Sequence, residues 1–128
     1  MCLFKKSLIP RITLKPKTVY KIVSKSYNNR YRTYFMEDKV NLGKIYTGKF
    51  TKREIFSFLF ERYIDSGFIH SYSENIDLES IIFEYIKLGA ENLALIKCEI
   101  PRFTLYYNGH EDEIASRRLK YIEEIREL

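Results

Sequence analysis

No tryptophan occurs in these 128 residues, and there are only two cysteines, two histidines, five glycines and three prolines. Each scarcity excludes something. Cys2 and Cys98 cannot form a disulfide framework or supply a paired-cysteine metal motif. His70 and His110 stand far apart with no cysteine or carboxylate at metal spacing, so no metal site is expected. The glycines (Gly43, Gly48, Gly67, Gly89, Gly109) are isolated and match neither a phosphate loop nor a dinucleotide fingerprint. No apolar run approaches the roughly 18 residues of a membrane span. Met1-Cys2-Leu3-Phe4-Lys5-Lys6 meets charge too early for a signal peptide. A cytoplasmic protein without a membrane partner is therefore expected. The sharpest scarcity is of acid, because no Asp or Glu precedes Glu37. Residues 1–62 hold 15 Lys/Arg against 4 Asp/Glu, whereas residues 63–128 hold 7 against 13. A basic front of this kind attracts anionic small molecules, nucleic acid or an acidic protein surface.

Hydrophobic residues make up 45% of the chain, enough for one self-sufficient core. Aromatics reach 16%, all of them Tyr (11) or Phe (9). Pro10 and Pro16 mark residues 1–16 as an extended lead-in. The β-rich run Thr18–Val23 reads as the first full strand, and Asn28-Asn29 as the turn to a partner at Tyr31–Met36. Thr51-Lys52-Arg53-Glu54 has the form of a capping box. Ile55, Phe56, Leu59, Phe60 and Tyr63 follow at helical spacing up to Gly67. Gly67–Ser73, Leu78–Leu88 and Leu93–Pro101 read as strand, helix and strand, with Ile81, Ile82, Tyr85 and Leu88 as the inner helix face. A short strand is expected at Thr104–Tyr107. The tail reads as a strand around Arg117–Ile122 with a frayed or helical end. These elements predict a single compact α+β domain: a mostly antiparallel or mixed β-sheet with two principal helices, about 52–66 and 78–88.

Few residues carry chemistry. His70 sits at a strand position, and His110 in a turn. Cys98 lies in an apolar strand, where a thiol behaves as a small inert hydrophobe. In Lys25–Tyr34 basic residues interleave with tyrosines, a mixture that tracks a nucleic-acid backbone and stacks bases. Strand alternation nevertheless puts Arg30 and Arg32 on one face and Tyr31 on the other. Glu111-Asp112-Glu113 crowds three like charges, which raise one another's pKa values.

Two resemblances follow from particular residues. Met1-Cys2-Leu3, Val19-Tyr20-Lys21, Gly67-Phe68-Ile69-His70-Ser71-Tyr72, Lys97-Cys98-Glu99-Ile100-Pro101, Tyr106-Tyr107-Asn108-Gly109 and Glu113-Ile114-Ala115-Ser116 together resemble a set of uncharacterised small proteins from gut Bacteroidales and their phages. That resemblance implies a phage or mobile-element setting and no particular activity. In addition, the order Tyr20-Lys21, Ser71-Tyr72-Ser73, Glu111-Asp112-Glu113 is similar to the Arg–Ser–Glu pattern of ADP-ribosyltransferases, with lysine where that family has arginine. It implies NAD as cofactor, Glu113 stabilising the oxocarbenium-like ribose, Ser71 orienting that acid, and Glu111 positioning the acceptor.

The expected function is a small non-catalytic binding or inhibitory protein, needing no cofactor, for a nucleotide-derived or nucleic-acid ligand. Tyr20, Lys21, Arg30, Arg32, His70 and Tyr72 are its candidate ligand-binding residues. The alternative is the NAD-using transferase. An assembly component using its aromatic surface is a third class.

Overall fold

β-Branched and aromatic residues in Lys17–Lys25 and a nearly unbroken apolar run in Leu93–Ile100 make the two strands on which the molecule is built. A computed structural model of the chain describes residues 3–26, 30–33, 39–49, 62–64, 67–89 and 92–128. In chain order the elements are β1 (Leu3–Phe4), β2 (Arg11–Ile12), β3 (Lys17–Lys25), β4 (Tyr31–Thr33), β5 (Lys39–Val40), β6 (Ile45–Thr47), β7 (Tyr63–Ile64), β8 (Ile69–Tyr72), α1 (Leu78–Lys87), β9 (Leu93–Ile100), β10 (Leu105–Asn108), β11 (Glu113–Ser116) and β12 (Arg118–Glu127). The main sheet runs β2-β10-β11-β8-β3-β9-β12-β6, with β4 and β5 branching from β3 and a separate β1-β7 pair. Every strand pairing among the described residues is antiparallel.

The expectation of an α+β domain with two principal helices is thereby corrected. The protein is mostly antiparallel β-sheet, with one helix among the described residues. Residues 52–61 and the capping box lie outside the described residues. Tyr63 and Ile64, which were expected to continue that helix, are extended and pair with Phe4 and Leu3. Gly67 accordingly does not cap a helix here, but leads into β8.

Alternation along β3 divides the interior. Val19 and Val23 join Ala94, Ile96, Cys98, Ile100, Ile114, Leu119 and Tyr121 on one face, called inner below. Ile22 joins Tyr72, Ile81, Tyr85, Leu93 and Leu95 on the other, beneath α1. Because β9 is buried on both faces, it reads as a continuous apolar run rather than a clean alternation. Leu3, Phe68, Tyr107 and Ala115 form a third cluster. Beside it, buried Lys5 holds its ammonium 4.0 Å from the Tyr107 ring centroid.

The end of β6 meets the head of β8 beside the corner between β11 and β12. Gly48 donates to the Arg117 carbonyl, Gly67 donates to the Lys49 carbonyl at 3.0 Å, and the Arg117 guanidinium donates to the carbonyls of both Gly48 and Gly67. The chain beyond β6 is thus stitched to the head of β8. Here glycine is required at 48. A Cβ would lie 2.3 Å from the Gly67 carbonyl oxygen and 2.8 Å from the Phe68 nitrogen.

Helix α1 begins as its sequence predicts. The Asp77 carboxylate caps it by accepting from the Ser80 amide and hydroxyl. Gly89, at φ 80°, takes the left-handed position beyond its end. Ile81 and Tyr85 face the sheet, but Leu88 is exposed, not inner. The tail is also corrected: Arg118–Glu127 is strand throughout, without a helical end.

Candidate functional site

Strand β8 carries His70, Ser71 and Tyr72 in succession, so alternation sends Ser71 to the face opposite the other two. Tyr72 stands opposite both Glu113 on β11 and Tyr20 on β3. Directly opposed residues share a face, so these three side chains line up on the outer face at the foot of α1, where Tyr85 joins them. Burial first, and then Tyr85, holds the Tyr72 phenol well above its usual range. Burial raises the Glu113 carboxyl, with Glu111 and Glu84 adding to it. The cluster is phenolic and acidic. An anionic ligand would meet carboxylate charge there.

His70 lies on the same face, opposite Ala115. Both ring nitrogens are buried without a hydrogen-bond partner. Burial, followed by the positive charge of Lys21, lowers the His70 pKa from 6.5 to about 4, so the native imidazole is neutral at ordinary pH. This has a consequence for stability. Between about pH 6.5 and pH 4 the unfolded chain takes up a proton at this histidine and the native chain does not. Stability is fully present above that window and falls as the pH drops through it, by roughly 3 kcal/mol at most. Glu113, with its raised pKa, acts in the opposite sense. The comparison that isolates His70 is wild type against His70→Gln in denaturant melts across this range. Wild type is expected to lose more stability than the variant on acidification, and equal slopes would refute a buried neutral His70.

Ser71, opposite Ile114, points to the inner face. It is 2% exposed, and its hydroxyl has no hydrogen-bond partner. The sheet therefore stands between Ser71 and Glu113. Glu111 and Asp112 are exposed and take φ 59° and 61°, the consecutive left-handed pair of a type I′ turn joining β10 to β11. The acidic run is a hairpin turn, and the three residues of the transferase pattern do not converge.

Lys21 also falls on the inner side of β3, opposite Ile96. Its ammonium donates to the His70 carbonyl at 2.7 Å, spanning the gap where β8, paired with β3 only at Tyr20–Tyr72, leaves the ladder. Lys21 is a bridge between strands rather than a surface cation. Nearby Cys98 is fully buried. Burial pushes its thiol up to about 12, opposed only in part by Lys21, which leaves it inert at neutral pH. In the β3–β4 hairpin Tyr31 is buried, while Arg30 and Arg32 are exposed. Ring and charge are segregated, and Tyr31 is not available for stacking.

The six ligand-binding candidates are thus spread over three places: Tyr20, His70 and Tyr72 outside, Lys21 inside, Arg30 and Arg32 on the hairpin. The surface that sequence reasoning missed is the supposed lead-in. It is an integral edge of the sheet. Lys6 donates to the Asn108 carbonyl, Arg11 and Ile12 pair with Tyr106 and Leu105, and Thr13 donates to the Thr104 carbonyl. Lys6, Arg11 and Lys15 are exposed along it, and Arg102 is exposed beside its end. The missing acid before Glu37 already marked a basic front; the unread signal was Leu8, Ile9, Ile12 and Leu14 set among its cations.

Among the described residues, no group of three His, Cys, Asp or Glu is placed to hold a metal ion. No helix among them is long and apolar enough to cross a membrane. No family model matches the chain, and no curated protein or solved structure matches it. The fold and site define an antiparallel β-sheet protein with a basic first edge and an acidic outer cluster.

Proposed function

We propose that this protein is a non-catalytic binding module that captures an anionic partner along its β2 edge. The observation that carries this reading is the run of residues 6–15, tied along β10, in which Lys6, Arg11 and Lys15 are exposed and no carboxylate intervenes. Cations held on a common edge reinforce one another's field, and they attract a polyanion more strongly than the same charges scattered. The phenol–carboxylate cluster at Tyr72 and Glu113 lies elsewhere and repels such a partner. NAD transfer has no comparable support, because Ser71 and Glu113 are directed to opposite sides of the sheet.

Retention on immobilised heparin tests the reading. Wild type is expected to bind at low salt and to elute as salt rises. The pair Arg11→Glu with Lys15→Glu is expected to weaken binding roughly tenfold. The pair Arg30→Glu with Arg32→Glu, on the separate hairpin, is expected to change it much less. Equal losses from both pairs, or no retention of wild type, would remove the edge from consideration.

A further inference from the structure

The same edge carries apolar side chains that a purely electrostatic contact would not use. Ile9 is 76% exposed, Leu14 75%, Phe103 58% and Ile12 52%. Ile12 and the exposed Leu105 are opposed across β2 and β10 and so share a face. Phe103 follows where the chain turns, its amide donating to the Thr13 carbonyl. Phe103 also takes φ 60°, a left-handed conformation that a bulky residue rarely adopts. Its exposed ring has the Arg102 guanidinium 4.4 Å from its centroid.

From the apolar tips and the cations around them we infer that the β2 edge docks on an anionic lipid surface, with Ile9, Leu14 and Phe103 entering the headgroup boundary and Lys6, Arg11, Lys15 and Arg102 pairing with lipid phosphates and carboxylates. This deepens the anionic-partner reading and rests on it. Three observations favour lipid over other polyanions. The most exposed tips project outward, and a fluid interface accepts projections that a protein partner would need a matching socket to receive. Apolar side chains between the cations suit an acyl boundary and do nothing for a nucleic-acid backbone. Strand addition is disfavoured, because β2 is two residues long and Pro10 and Pro16 bound the segment. The contact is peripheral, with each cation near a negative leaflet adding to the apolar term.

The experiment is co-sedimentation with phosphatidylcholine vesicles, with and without phosphatidylserine, alongside heparin retention. Wild type is expected to sediment only with the phosphatidylserine vesicles. The triple variant Ile9→Ser, Leu14→Ser, Phe103→Asn is expected to lose at least tenfold in vesicle affinity while keeping its heparin retention. Asparagine tolerates the left-handed backbone, so the fold is retained, and a thermal melt checks this. Arg11→Glu with Lys15→Glu is expected to lose both activities. Heparin retention without vesicle binding would overturn the lipid inference and leave the anionic-partner reading standing. Loss of both in wild type would overturn both. Vesicle binding undiminished in the triple variant would overturn the insertion of these side chains.

Discussion

Replacing Gly48 by alanine is expected to destabilise the protein by about 2–4 kcal/mol. The new methyl would meet backbone atoms of Gly67 and Phe68, at 2.3 to 2.8 Å. Neither is the mobile end of a side chain, so relief requires the junction between the β6 end and the β8 head to open. The hydrogen bonds Gly48 N–H to Arg117 and Gly67 N–H to Lys49 would stretch with it. Gly43→Ala provides the contrast. Nothing lies within 4 Å of its Cβ position, and the cost comes only from its φ of 84°, about 1 kcal/mol. Urea unfolding of the two variants measures the difference. A Gly48→Ala variant within 0.5 kcal/mol of wild type (about the spread of inconsequential surface changes) would mean that the β6 end and the β8 head are not packed together at this point.

Arg117→Met is expected to cost about 2–3 kcal/mol. The guanidinium donates to two backbone carbonyls and lies over the Phe68 ring, 5.7 Å from its centroid. Burial already lowers the Arg117 pKa, so the charge is partly desolvated and these carbonyls compensate it. Methionine retains the packing but leaves both acceptors without the guanidinium. Arg117→Lys is expected to recover only part of the loss, because an ammonium cannot present the planar fork that reaches two oxygens at once. Since Gly48 and Arg117 act on the same junction, the double variant is expected to lose less than the two single losses together. Additive losses in denaturant melts would place the two residues in independent parts of the structure.

What the sequence revealed depended on how local the information was. The strand at Lys17–Lys25, its return at Tyr31, the Asp77 cap and the Gly89 stop are fixed by neighbouring residues, and they were legible. The tail was not. Register shifts between Tyr121 and Glu123 and between Glu124 and Arg126 break the alternation of β12, so Tyr121, Ile125 and Leu128 fall at spacings that imitate a helix. The first segment looked like a lead-in because its partner, β10, lies far along the chain. Leu88 was placed on the inner helix face because α1 carries Phe83, Ile86 and Leu88 on its exposed side as well, which blurs the apolar stripe.

The candidate site divides in the same way. Strand alternation, which the sequence reading applied only to Arg30, Tyr31 and Arg32, separates Ser71 from His70 and Tyr72 within β8. The meeting of Tyr72 with Glu113 depended on the register of β11, and the position of Lys21 on the early departure of β8 from β3. Neither is encoded in a short motif. The burial of Cys98, by contrast, followed from its apolar neighbours in sequence.

Backbone-amide NMR during titration with a short heparin fragment gives the most direct test of where this protein binds. Shifts are expected to concentrate at Lys6, Arg11, Ile12, Lys15 and Arg102, with Tyr20, His70, Tyr72 and Glu113 nearly unmoved. Shifts centred on that second group, with the first edge silent, would contradict the assignment.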